Sequence, residues 1–138
     1  MVYLVFYTVE LRSWRSILIA IATQSIYTHA GVQVGDRVLE ANGSKGLVGW
    51  TPADTYKGRP SKRIQIDVSR EKATKLLSEY DGLEYDHMAL RLWAASIQNP
   101  NKFYCFEIIW AFLADIGKVT GVRPKRITAK TLLRKIGE

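Results

Sequence analysis

The sequence predicts one globular domain that mixes strands with helices. Three observations carry this. A chain of 138 residues is of ordinary single-domain size and long enough to bury a core. Hydrophobic residues make up 47% and charged residues 24%, the balance of a soluble globular protein. The apolar residues also change period along the chain, alternating in some stretches and recurring every three to four residues in others.

Met1 to Val9, rich in Val, Tyr, Phe and Leu, is the first strand. Ser13 caps a helix running to about Ser25. Its segment Ile17–Ala22 has the apolarity of a short signal core. A strand-like run precedes it where a basic segment should stand, so it reads as a buried helix and no cleaved signal is expected. A cytoplasmic location at synthesis follows as an expectation. No apolar run reaches bilayer-spanning length.

A hairpin comes next. Two alternating runs flank Gly35-Asp36, a two-residue turn that fixes the register. Val34 pairs with Arg37, Gln33 with Val38, Val32 with Leu39 and Gly31 with Glu40. Ala30, Val32, Val34, Leu39 and Ala41 then fall on one face, and His29, Gly31, Gln33, Val38, Glu40 and Asn42 on the other. His29 and Glu40 become same-face diagonal neighbours, with Cβ atoms roughly 7 Å apart. Gly31, opposite Glu40, has no side chain to block them. A carboxylate there can hold an imidazole in one tautomer and orientation. The same pattern also describes the exposed polar face of any half-buried hairpin.

Asn42 to Pro60, with its glycines and prolines, reads as loop, with Trp50 packing beneath it. Arg63–Val68 alternates as a strand. Ser69 caps a helix to Tyr80, which Asp81-Gly82 ends. Glu84-Tyr85-Asp86 leads into a helix through about Ile97 that holds His87, a surface position with no carboxylate at hairpin spacing. Thr128 caps a last short helix carrying Leu132, Leu133 and Ile136.

The remaining stretch, Asn101 to Leu113, holds the one cysteine of the chain. Apolar positions at 105, 109, 112 and 116 give the buried face of a helix, and Asn99-Pro100-Asn101 supplies turn and cap chemistry before it. Cys105 then lies near a helix N-terminus, where unpaired N–H groups and a positive dipole favour a thiolate and can hold an oxyanion. A lone cysteine on an apolar helix face is equally the mark of a small core residue.

One cysteine excludes an internal disulfide framework, and with two histidines it makes a Cys/His zinc site a poor expectation. The net charge of +7 favours anionic partners such as nucleic acid, phosphate, anionic lipid or an acidic wall polymer, although solubility alone accounts for it as well. Lys118 to Glu138 contains seven Lys or Arg and one acid. A small basic nucleic-acid binder therefore stays open as an alternative function.

Three separated stretches combine at this point: a His opening a hairpin, a Glu on its return strand, and a Cys opening a helix. This order resembles the circularly permuted NlpC/P60 papain-like hydrolases, especially the YiiX-like group of bacteria and phages. Tyr27-Thr28-His29-Ala30-Gly31-Val32 is similar to that family's Tyr-Ser-His-Val-Gly-Ile, and Val38-Leu39-Glu40-Ala41 to its Val-Ile-Glu-Ala. Gly82-Leu83-Glu84-Tyr85-Asp86 is similar to Gly-Lys-x-Tyr-Asp, and Tyr104-Cys105-Phe106-Glu107-Ile108-Ile109-Trp110 to Tyr-Cys-Ser-Glu-Leu-Val-Trp. Arg126 to Leu133 is similar to its closing Ile-Thr-Pro-x-Asp-Leu. Phe106 departs from the usual Ser and Ala129 from the usual Pro.

The resemblance implies a single α+β domain, a small antiparallel sheet packed against helices. It implies Cys105 as nucleophile, His29 as general base and Glu40 as orienting residue of a cysteine peptidase or amidase. Tyr85, Tyr27 and Gln33 are the expected substrate or oxyanion contacts. No metal or organic cofactor is called for. The substrate is expected to be a peptide, isopeptide, cell-wall peptide or lipid-like acyl compound. A phage-encoded member would reach the wall through a virion or lysis. A catalytically inactive structural or assembly protein on the same fold is the third reading.

Overall fold

The structure, a computed structural model, describes residues 1–8, 17, 26–42, 46–85, 102–103, 105–120 and 127–137, with only the backbone described at 42, 84, 85, 102 and 103. Strands β1 (Val2–Thr8), β2 (Tyr27–Val34), β3 (Arg37–Asn42), β4 (Leu47–Pro52), β5 (Ser61–Ile66), β6 (Glu84–Tyr85) and β7 (Lys102–Phe103) form one sheet in the order β5-β1-β2-β3-β4-β6-β7. Pairing is antiparallel except between the two short strands β6 and β7, which run parallel.

The hairpin has the register that its turn dictates: Val34 opposite Arg37, Gln33 opposite Val38, Val32 opposite Leu39 and Gly31 opposite Glu40. Gly35 makes the turn possible with a φ of 62°, a conformation side chains disfavour. Ala30, Val32, Val34, Leu39 and Ala41 all enter the core on one face of the sheet.

The helix Cys105–Asp115 covers that face, packing on β2 and β3. It departs from expectation in two ways. It begins at Cys105, because Lys102–Phe103 is spent as strand β7. Eight of its residues, from Cys105 through Trp110 with Phe112 and Leu113, are buried, so it is an enclosed helix and not a one-faced one. Phe106 in particular is fully buried in the core.

Two more helices complete this layer. Ser69 Oγ accepts the Lys72 N–H at 3.2 Å and opens Arg70–Ser78, which buries Ala73 and Leu77. Thr128 Oγ1 accepts the Thr131 N–H at 3.1 Å and opens Ala129–Lys135. That helix sets Ala129 and Leu132 in the core and leaves Lys130, Arg134 and Lys135 exposed. Its apolar face is used within the domain, and its basic face is the solvated one.

The Asn42–Pro60 loop reading is corrected: Leu47–Pro52 is strand β4, paired along its length with β3, and Ala53–Tyr56 is a 3-10 turn. Pairing with β3 overrides the loop-forming residues Gly46, Gly49 and Pro52. The helix over Ser13–Ser25, of which Ile17 alone is described, the Asn99–Asn101 cap and the helix holding His87 lie outside the described residues. No helix among the described residues is long and apolar enough to cross a membrane.

Candidate active site

The face of the sheet opposite the described helices carries the polar residues of the hairpin. Glu40 points there from the middle of β3 and is 0% exposed. A buried carboxylate requires donors, and it has them on both oxygens. His29 Nε2 lies 2.7 Å from Oε2. Tyr56 Oη donates to Oε1 at 2.7 Å and Thr51 Oγ1 donates to it at 3.0 Å. These contacts hold the Glu40 carboxyl below its ordinary range: burial, the largest single effect, pushes it up, but the hydrogen bond and charge of His29 and the Tyr56 and Thr51 hydroxyls outweigh it.

Gly31 makes room for this contact. A Cβ there would stand 2.5 Å from Val38 Cγ1, 2.9 Å from the Leu39 carbonyl oxygen and 3.3 Å from Glu40 Cβ.

His29 sits between aromatic rings. Tyr7, its partner on β1, stacks on it with centroids 5.7 Å apart, and Tyr56 lies 5.6 Å away at a tilt. The imidazole is 17% exposed. Burial alone would push its pKa down, and is the largest effect. Hydrogen bonds and charge from Cys105 and Glu40 reverse it, raising His29 from 6.5 to about 9. Tyr7 is pushed up to about 12, chiefly by burial and by the Glu40 charge. The Tyr56 hydroxyl is raised for the same two reasons, so it is held as a proton donor to Glu40.

Cys105 reaches this cluster from the other side of the sheet, at the first residue of its helix. Its thiol donates to the Thr28 carbonyl oxygen at 3.9 Å, which sets it beside the next residue, His29, close enough to raise that imidazole's pKa. The pairing of β2 with β1 shifts register at the same place. Tyr7 pairs with His29 but Thr8 pairs with Tyr27, so β2 carries Thr28 as an extra residue where the cysteine meets it.

The structure thus brings Cys105, His29 and Glu40 together. It does not bring Tyr27 and Gln33 with them. The bulge breaks the alternation and turns Tyr27 toward the core, where its ring meets Phe6 edge-on at 6.1 Å. Gln33 lies four residues along β2 from His29, roughly 13 Å at strand rise. Its amide is taken, donating to the Gly35 carbonyl at 2.8 Å and accepting from Arg63 at 2.9 Å, so it braces the hairpin. Tyr85 has its backbone on β6, and its side chain lies outside the described residues.

Tyr56 and Thr51 were not legible in the sequence as site residues. The available signal is indirect: a Glu placed opposite a Gly on a hairpin needs hydroxyl donors, and both residues stand on the segment that follows β3. An open groove of about 350 Å³ runs along β4, lined by Leu47, Trp50, Thr51 and Asp81 among others, and none of Cys105, His29 and Glu40 lines it.

The architecture matches a solved structure, that of the metalloprotein YiiX from Escherichia coli O157:H7, a DUF1105 protein. The match has a TM-score of 0.64 at 23% sequence identity, over 85% of this chain and 66% of that one. This chain has the YiiX fold. It spans just under two thirds of that chain's length. No family model matches the sequence. No curated protein matches it either. Among the described residues no three His, Cys, Asp or Glu side chains group so that they could hold a metal ion.

Proposed function

We propose that this protein is a thiol hydrolase of the permuted NlpC/P60 papain-like kind, cleaving an amide or peptide bond with Cys105, His29 and Glu40. The observation that carries the reading is the placement of the Cys105 thiol, 3.9 Å from the Thr28 carbonyl, beside His29, whose Nε2 is hydrogen-bonded to a fully buried, three-donor Glu40. Glu40 occupies Nε2, which leaves Nδ1 as the ring nitrogen for Cys105. With His29 raised to about 9, the ring is an imidazolium at neutral pH and holds a proton for the leaving group.

The chemistry follows from these positions. The thiolate attacks the substrate carbonyl carbon, and the first-turn N–H groups of the Cys105 helix, which have no intrahelical acceptor, receive the developing oxyanion. Collapse breaks the C–N bond, and His29 gives its Nδ1 proton to the leaving amine. The neutral imidazole then takes a proton from water, hydroxide attacks the thioester carbon, and the thiolate leaves with the acid product. YiiX is described as a metalloprotein. The described residues here do not fit such a site, since His29 Nε2 and Glu40 Oε2 face each other in a 2.7 Å hydrogen bond and no third ligand joins them.

One observation favours a second reading, an inactive structural protein on this fold: Cys105 is 1% exposed and belongs to the core cluster. Alkylation separates the two. The hydrolase reading expects iodoacetamide to modify native Cys105 near neutral pH faster than a free thiol, with that excess lost in His29→Ala. Incubation with lysate and peptidoglycan digest should then leave a peptide-derived acyl mass on Cys105. A fatty-acyl mass moves the substrate to lipid esters. Thiol reactivity at or below the free value, indifferent to His29, overturns the hydrolase reading.

A further inference from the structure

The segment that supplies Tyr56 continues as Lys57-Gly58-Arg59-Pro60-Ser61-Lys62-Arg63, four cations with no acid between Thr55 and Ile66. Arg59 is the one built into the site. Its Nε and Nη2 donate to the Thr8 carbonyl oxygen at 2.9 and 2.5 Å, and Nη2 also reaches Thr28 Oγ1 at 3.4 Å. Its Cζ stands 5.6 Å from the Tyr7 ring centroid and 5.7 Å from that of Tyr56, the two rings that flank His29. These contacts fix the guanidinium and remove most of its conformational freedom before any ligand arrives.

What the contacts leave out is a counter-charge. Nη1 has no hydrogen-bond partner among the described residues, and no carboxylate among them pairs with Arg59. The nearest acid in the cluster, Glu40, is already saturated by His29, Tyr56 and Thr51. A partly exposed, oriented arginine whose Nη1 has no partner among the described residues can receive a carboxylate.

Its distance from the chemistry is bounded by Thr28. Cys105 Sγ is 3.9 Å from the Thr28 carbonyl oxygen, and Arg59 Nη2 is 3.4 Å from the Thr28 hydroxyl. With the span of one residue between, the guanidinium is at most about 12 Å from the sulfur. An extended peptide covers that in about three residues.

We propose that Arg59 is a specificity subsite: it binds a carboxylate of the substrate within about three residues of the scissile bond, and so selects acidic peptides. This rests on the hydrolase reading for its word substrate, but the binding site stands on its own contacts. The probes are chloroacetyl peptides that alkylate Cys105, with one Glu placed one, two or three residues from the chloroacetyl group, each matched to a Gln peptide. At low salt the Glu peptide should alkylate wild type about five- to twentyfold faster than its Gln partner at one of these spacings. The ratio should fall to near one in Arg59→Gln and lie between in Arg59→Lys, which keeps the charge and loses the fork.

A ratio near one at every spacing in wild type, with Cys105 otherwise activated, overturns the subsite and leaves the hydrolase intact. A ratio unchanged in Arg59→Gln overturns it too. Cys105 no faster than a free thiol, with an Arg59-dependent ratio, supports the subsite and removes the hydrolase. Should Arg59→Gln not fold, titration of wild type with N-acetylglutamate decides: the Arg59 Nε–H resonance should move and saturate, with N-acetylglutamine as the neutral control. No movement overturns the proposal.

Discussion

Glu40→Gln tests how the histidine is held. Gln keeps the shape of Glu and an oxygen for Tyr56 and Thr51 to donate to, so the packing of this face is retained. It removes the charge and turns an amide N–H toward His29, where a carboxylate oxygen stood at 2.7 Å. His29 Nε2 then becomes an acceptor and the ring proton sits on Nδ1, which cannot take a proton from the thiol. The rise of His29 from 6.5 to about 9 corresponds to about 3 kcal/mol at 1.36 kcal/mol per pH unit. Cys105 and Glu40 share that effect against an opposing burial. With the Glu40 share gone, His29 should titrate clearly below its wild-type value of about 9. The assay is an NMR titration of the His29 Cε1 proton, separated from the one other histidine by His87→Gln. The iodoacetamide rate of Cys105 should fall at neutral pH in the same variant. A His29 midpoint still near 9 in Glu40→Gln, or near 6.5 in wild type, would refute the reasoning.

Two further outcomes are expected. Gly31→Ala forces a methyl against Val38 Cγ1 at 2.5 Å and the Leu39 carbonyl. It should cost about 1–3 kcal/mol by urea unfolding and lower the His29 midpoint by displacing Glu40, whereas unchanged values for both would show that the hairpin yields there. For pH, His29 has a raised folded value, so its contribution is fully present below 6.5 and is lost as pH rises through about 9. Glu40 has a lowered one, so its contribution is present above 4.5 and is lost as pH falls through its folded value. The urea midpoint of wild type minus that of His29→Gln should therefore be greatest near pH 6 and shrink by pH 9.5, and a difference that is flat over this range contradicts the raised value.

The hairpin was legible because Gly35-Asp36 fixes the count of residues from the turn. Once that count is fixed, alternation places His29 and Glu40 on one face without further information. The caps at Ser69 and Thr128 were legible for a similar reason, since a hydroxyl before a periodic run has one local use. The rest depended on contacts between distant segments. The bulge at Thr28 has no local signature, and it moves Tyr27 from the site to the core. Strand β4 looks like loop because Gly46, Gly49 and Pro52 are loop residues wherever β3 is not beside them. Tyr56 and Thr51 became site residues only through that strand. The cysteine helix was visible, but its first turn was assigned to residues that the sheet uses as β7.

The three donors on Glu40 come from β2, from β4 and from the 3-10 turn, so one carboxylate ties together three separate segments of the chain. Cys105 ties less: its small side chain makes one weak contact, to the Thr28 carbonyl oxygen, and Ser can fill the same space. The cost of losing each is therefore unequal. In a lineage where selection for the chemistry lapses, the thiol is free to drift first, while the acid and the imidazole persist because the fold still needs them. Descendants that keep a His and a buried Glu at these positions but lack the cysteine are what such a history leaves behind, and the pair alone is no sign of a working enzyme.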